Sequence, residues 1–115
     1  MIDKPHLDEE ALAELQDVME DEFDVLIRTY IADSRDRIEA LRLALQNSNA
    51  DAFKKSAHSF KGSSINIGAP RLGALCFEAE KAGNEQQLDD AAALLDIIAT
   101  EFETISRMLE QSLQH

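Results

Sequence analysis

Cysteine, proline, glycine and aromatic residues are all scarce in this 115-residue chain, and each shortage narrows what it can be. A single cysteine, Cys76, cannot close an internal disulfide. That excludes a disulfide-stapled secreted scaffold and suits a reducing compartment. Four glycines, two prolines and 5% aromatics leave few turn formers and few strand formers, which argues against a sheet-rich domain. Cationic side chains are also short: 11 Lys and Arg stand against 23 Asp and Glu, a net charge of -12. Such a surface repels phosphate backbones and anionic bilayers, so neither nucleic acid nor membrane is an expected partner. No apolar run has the length of a membrane span. Met1-Ile2-Asp3-Lys4-Pro5 does not have the charged-then-apolar pattern of a secretory leader. The expected location is the cytoplasm.

Hydrophobic residues make up 44% of the chain and charged residues 30%, the balance of a globular domain with a core. One domain over residues 1–115 is expected, with no repeat, low-complexity tract or linker. Asp8 is placed to cap a short first helix, with Leu7 and Leu12 as a hydrophobic staple and Leu12, Leu15 and Met19 as its apolar side. A second helix runs from near Asp21 to near Gln46 on the stripe Phe23, Ile27, Tyr30, Ser34, Ile38, Leu41 and Leu45. Asn47-Ser48-Asn49 breaks it. The third helix has Phe53, Ala57, Phe60, Ser64 and Ile67 inside, and ends at Gly68-Ala69-Pro70, with Pro70 suited to the next first turn. The fourth buries Leu72, Leu75, Cys76 and Ala79 and is expected to stop at Gly83-Asn84. The fifth carries Leu88, Ala91, Leu95, Ile98, Phe102, Ile105 and Leu109 at alternating three and four. That regularity would serve a coiled-coil dimer. Short loops between amphipathic helices favour an all-α antiparallel four-helix bundle within one chain, the short first helix packed across it.

The segment His58-Ser59-Phe60-Lys61-Gly62-Ser63-Ser64 gathers chemistry on one helix face. At about 3.6 residues per turn, His58 lies roughly 140° from the centre of the inner stripe and Gly62 roughly opposite it, so both point outward. An unperturbed imidazole is largely neutral near neutral pH and can attack phosphorus. Phosphoryl transfer depends on in-line positioning and on neutralising charge on the phosphoryl oxygens. Lys61, three residues on, can reach such oxygens, and Lys54 and Lys55 join it in a positive island. Glycine inside a helix costs about 1 kcal/mol against alanine. At Gly62 the missing side chain would let a partner's active site close over the ring. Ile65, beside the patch, is either a docking contact or a singly exposed apolar residue. These features imply a phosphoryl carrier on His58.

The string Ala57-His58-Ser59-Phe60-Lys61-Gly62-Ser63-Ser64, continuing through Ile67-Gly68-Ala69 and the Leu72–Gly83 segment, resembles the histidine-containing phosphotransfer (HPt) domains of two-component phosphorelays. The resemblance implies a four-helix bundle with an exposed phosphorylated imidazole. His58 would be the phosphoacceptor, Lys61 the phosphate stabiliser and Gly62 the clearance residue. It implies a stand-alone, monomeric carrier between a hybrid sensor histidine kinase and a response-regulator receiver, without kinase activity of its own. It needs no cofactor, and Mg2+ belongs to the partner receiver. Some family members place a glutamine near the imidazole. The matching position here is Glu80, which either orients a ring N–H or is a solvated, helix-pairing carboxylate; Glu78 is read as surface. No Gly-x4-Gly-Lys-Ser/Thr loop is present to hold ATP.

Two other classes deserve comparison. An acidic bundle could bind partners without phosphoryl chemistry, but the whole histidine setting is then unexplained. A metal-binding bundle would draw on His6, His58 and His115, yet no Glu-x-x-His pair projects inward, and no metal is expected.

Overall fold

A computed structural model describes residues 3–113. The apolar stripes become five α-helices: α1 (Glu9–Met19), α2 (Phe23–Gln46), α3 (Ala50–Asn66), α4 (Pro70–Asn84) and α5 (Leu88–Ser112). A single 3-10 turn, Glu20–Glu22, links α1 to α2, so α2 starts slightly later than its pattern predicted. Polar side chains hold the helix starts: Asp8 accepts from the Ala11 amide at 3.1 Å and Asn49 from the Ala52 amide at 3.0 Å. Pro70 opens α4, where its missing N–H costs nothing.

The three loops of the bundle each have three residues and share one geometry. In each, the middle residue takes a positive φ: Ser48 at 50°, Gly68 at 88° and Gln86 at 59°. The next residue's amide then reaches back to a carbonyl of the last turn, as in Asn49 to Ala44, Ala69 to Ser64 and Gln87 to Ala82. Such tight reversals make successive helices antiparallel neighbours. α3 packs on α4 and on α2, and α5 closes the ring against α4 and α2.

Helix α2 has 24 residues and α5 has 25, against 17 in α3 and 15 in α4. The long pair therefore overhangs the α3–α4 loop. The N-terminal segment covers that end. The Asp8 amide donates to the Gly68 carbonyl at 2.8 Å, Arg71 Nε donates to the Lys4 carbonyl at 2.6 Å, and His6 Nδ1 bonds to Glu101 Oε2 at 2.7 Å. Leu7 is buried, and Leu12, Leu15 and Met19 pack against the core as half-buried residues.

The core is centred on Phe53, Phe60 and Phe102 with Ile27, Leu41, Leu72, Ile98, Ile105 and Leu109. Phe102 meets Phe60 edge-on at 6.4 Å and Tyr30 at 6.5 Å. Tyr30 and Ser64 share a buried 2.8 Å hydrogen bond that joins α2 to α3. The stripe of α5 is used up inside the chain, which removes the basis for the coiled-coil reading.

Two sequence expectations need correction. Leu45 is only half-buried, and Ala44 takes its place in the stripe. Leu88 is also half-buried, at the first position of α5. Helix α4 ends at Asn84, as the Gly83-Asn84 pair predicted, and the reversal follows at Gln86; Gly83 itself is helical and buried. Glycine is there for packing, because a Cβ at Gly83 would stand 3.1 Å from the Lys54 backbone nitrogen.

Candidate functional site

His58 sits mid-way along α3, on the side that faces solvent. The two turns around it are fixed from within by Phe53, Ala57, Phe60 and Ser64, all buried. The same periodicity that hides those residues forces the imidazole out, and its side chain is 67% exposed. Next to it, Arg37 Nε of α2 donates to Ser59 Oγ at 3.0 Å, a further tie between the site helix and its neighbour.

Helices α3 and α4 run antiparallel in a regular register. Lys54 meets Gly83, His58 meets Glu80, Lys61 meets Glu80 and Phe77, and Ile65 meets Gly73. That register delivers Glu80 to the site. Its Oε2 is 2.8 Å from His58 Nδ1 and its Oε1 is 2.7 Å from Lys61 Nζ. One carboxylate thus bridges the imidazole and the ammonium. The Glu80 side chain is only 19% exposed. Burial pushes its carboxyl up, but the hydrogen bonds from Lys61 and His58 outweigh that and hold it below the ordinary glutamate value. An ionised carboxylate can only accept, so the proton of the shared hydrogen bond belongs to Nδ1. Nε2 then keeps its lone pair, on an exposed ring.

Lys61 Nζ also lies 5.4 Å over the ring of Phe77, a contact that fixes the direction of the lysine stem. Phe77 and Ile65 are exposed, and Ile65 leans on α4 where Gly73 has no side chain. A Cβ at Gly73 would fall 2.7 Å from Ile65 Cγ1. Gly62 is different: a Cβ there would meet nothing within 4 Å. No packing demand within the chain explains this glycine, and the space above it is open.

Sequence reasoning grouped His58, Lys61, Gly62, Ile65 and Glu80 at one place, and the structure brings them together. The positive island of Lys54, Lys55 and Lys61 needs correction. Lys55 is paired with Asp51 at 2.9 Å on its own helix, and Lys61 is paired with Glu80, so the charge at the site is largely balanced. Glu78 is exposed, as expected. Sequence reasoning missed Phe77, Arg37 and Gly73. A hydrophobic residue at an outward helix position was the available signal for Phe77; the other two are visible only once the helices are packed. Cys76 is fully buried, and burial pushes its thiol up to about 12, so it behaves as an apolar core residue. For the metal reading, His6 and His58 are tied to different glutamates, and among the described residues no three metal-ligating side chains converge. His115 lies outside the described residues.

An exposed imidazole at the middle of a bundle helix, with ammonium and carboxylate beside it, defines a class of phosphoryl carriers. The comparisons agree. The Hpt domain profile matches residues 25–115. The chain therefore belongs to the Hpt domain family. Among solved structures it is similar to histidine-containing phosphotransfer protein B from Pseudomonas aeruginosa PAO1, at 43% identity and a TM-score of 0.94 over 96% of each chain. It also shares its fold with a candidate histidine-containing phosphotransfer protein from rice, at 21% identity and a TM-score of 0.83, covering 99% of this chain and 90% of that one. A search of curated protein sequences gave no match.

Proposed function

We propose that this Hpt protein is a phosphorelay intermediate whose phosphoacceptor is His58, taking the group from a receiver-domain aspartyl phosphate and passing it to a response-regulator receiver. The observation that carries this reading is the Nδ1–Glu80 hydrogen bond on an exposed ring, which leaves Nε2 as the outward nucleophile. In the first step the Nε2 lone pair attacks phosphorus in line. The bond from phosphorus to the aspartyl oxygen breaks, and its electron pair returns to that carboxylate. In the second step an aspartate of the next receiver attacks and the N–P bond breaks. Lys61 reaches the phosphoryl oxygens by leaving Glu80, and offsets their charge. Gly62 leaves room for the receiver's active site, while Ile65 and Phe77 offer apolar contact at its rim.

On this reading the chain is a phosphoryl carrier with no ATP chemistry of its own. Mg2+ is supplied by the receiver's acidic pocket. The donor is a receiver attached to a hybrid sensor kinase. The carrier works as a cytoplasmic monomer. No helix among the described residues is long and apolar enough to cross a membrane, which fits this assignment. The test is incubation with a phosphorylated receiver. Label that is acid-labile and base-stable should appear on the native protein and be absent from His58→Gln. Equal labelling of both would remove His58 from the role.

A further inference from the structure

A carboxylate facing the acceptor imidazole is at first sight misplaced, because it repels an incoming phosphoryl group. The geometry gives it a use that a neutral amide could not fill. Glu80 Oε2 bonds to Nδ1, the nitrogen that stays free after Nε2 takes the phosphoryl group. When the N–P bond forms, Nε2 contributes its lone pair and the ring becomes cationic, with the Nδ1 proton retained. No proton has to move. The positive ring then lies against a negative carboxylate at hydrogen-bond distance.

Two states of the phosphorylated ring differ in how readily they give the group up. With Nδ1 protonated, the departing ring leaves as a neutral imidazole. With Nδ1 deprotonated, it would leave as an imidazolate anion, a far poorer leaving group. We propose, building on the carrier reading of His58, that Glu80 is a positioning residue that keeps the Nδ1 proton in place in the phosphorylated protein, holding the phosphoryl group as a transfer-ready phosphoimidazolium. Lys61 is the counterweight. At rest it shares the carboxylate through Oε1 at 2.7 Å; when it turns to the phosphoryl oxygens, Glu80 is released to serve the ring alone. Lys54, one turn earlier on α3, and Arg37, which reaches over from α2 to Ser59, are cationic and act against protonation of the ring, while Lys55 is paired with Asp51 on its own helix. Glu80 of α4 is the opposing charge.

The test uses the full chain, phosphorylated on histidine with phosphoramidate and followed by 31P NMR across a pH series. The midpoint of Nδ1 protonation in the native protein should lie at least about one pH unit above that of Glu80→Gln, which corresponds to a tenfold change in the protonated fraction above both midpoints. Transfer to a receiver above both midpoints should slow by about the same factor. Lys61→Met should move the midpoint the other way, upward, and that opposite sign separates the charge effect from loosened packing. Coincident midpoints in native and Glu80→Gln proteins would overturn the proposal while leaving His58 as the carrier. Absence of any phosphohistidine on the native protein would overturn both.

Discussion

Gly83 and Lys54 touch through their backbones: a Cβ on Gly83 would stand 3.1 Å from the Lys54 nitrogen and 3.2 Å from its Cα. This contact lies one turn from His58 and sets how closely α4 lies on α3. The distance from His58 to Glu80 depends on it. Gly83→Val should therefore lower stability by about 1–3 kcal/mol through overpacking, with denaturant unfolding as the measure. It should also weaken the hydrogen bond at the site, seen as altered imidazole resonances. A variant as stable as the native protein would show that α4 can shift without loss.

Gly62 separates two effects that usually travel together. Nothing surrounds it, so Gly62→Ala should gain the helix propensity that glycine forgoes, raising stability by up to about 1 kcal/mol. Gly62→Gln should gain nearly as much and yet block receiver docking. The expected result is a protein that unfolds at higher urea and transfers poorly. Normal transfer by Gly62→Gln would end the clearance argument.

His6 holds the N-terminal segment onto the far end of the bundle. Its partner Glu101 is 7% exposed, so His6→Ala leaves a carboxylate buried without its hydrogen bond. A loss of about 1–3 kcal/mol is expected, and less when Glu101→Gln is added to it. Thermal unfolding of the two proteins checks this. Transfer by His58 should survive, since His6 is on a different part of the molecule.

Alkali should destabilise the fold. Burial pushes both the Cys76 thiol, ordinarily 9.0, and the Tyr30 hydroxyl, ordinarily 10.0, up to about 12. The unfolded chain loses the Cys76 proton above pH 9 and the Tyr30 proton above pH 10, while the folded chain keeps both up to about 12. Stability is thus full below pH 9 and declines as pH rises toward 12. Urea midpoints measured from pH 7 upward should fall across that window, and Cys76→Ala should flatten the early part of the decline. The same burial predicts that Cys76 resists alkylation until the protein unfolds.

Sequence periodicity was enough to place His58 outside and Phe60 inside, because a buried stripe admits almost no freedom of phase. Asp8 and Pro70 marked helix starts for equally local reasons. What stayed hidden depended on register between helices. Glu80 could be named as the neighbour of the imidazole, but its bridge to Lys61 follows from how α4 slides along α3, and that is decided by Gly83 against Lys54 and Gly73 against Ile65. Gly83-Asn84 marked the end of α4, but the packing of Gly83 on Lys54 was hidden, because local sequence cannot distinguish a glycine kept for a turn from one kept for contact. The lysine island failed for a related reason: proximity along a helix says nothing about which charges are already paired.

Since the reactive ring stands mid-helix on a braced rod, it has no means of swinging between two destinations. A donor and a recipient must use the same patch in succession, each leaving before the other arrives. A phosphoryl group lodged there belongs to neither visitor. The expected kinetic signature is ping-pong, with an excess of either receiver acting as a competitor of the other.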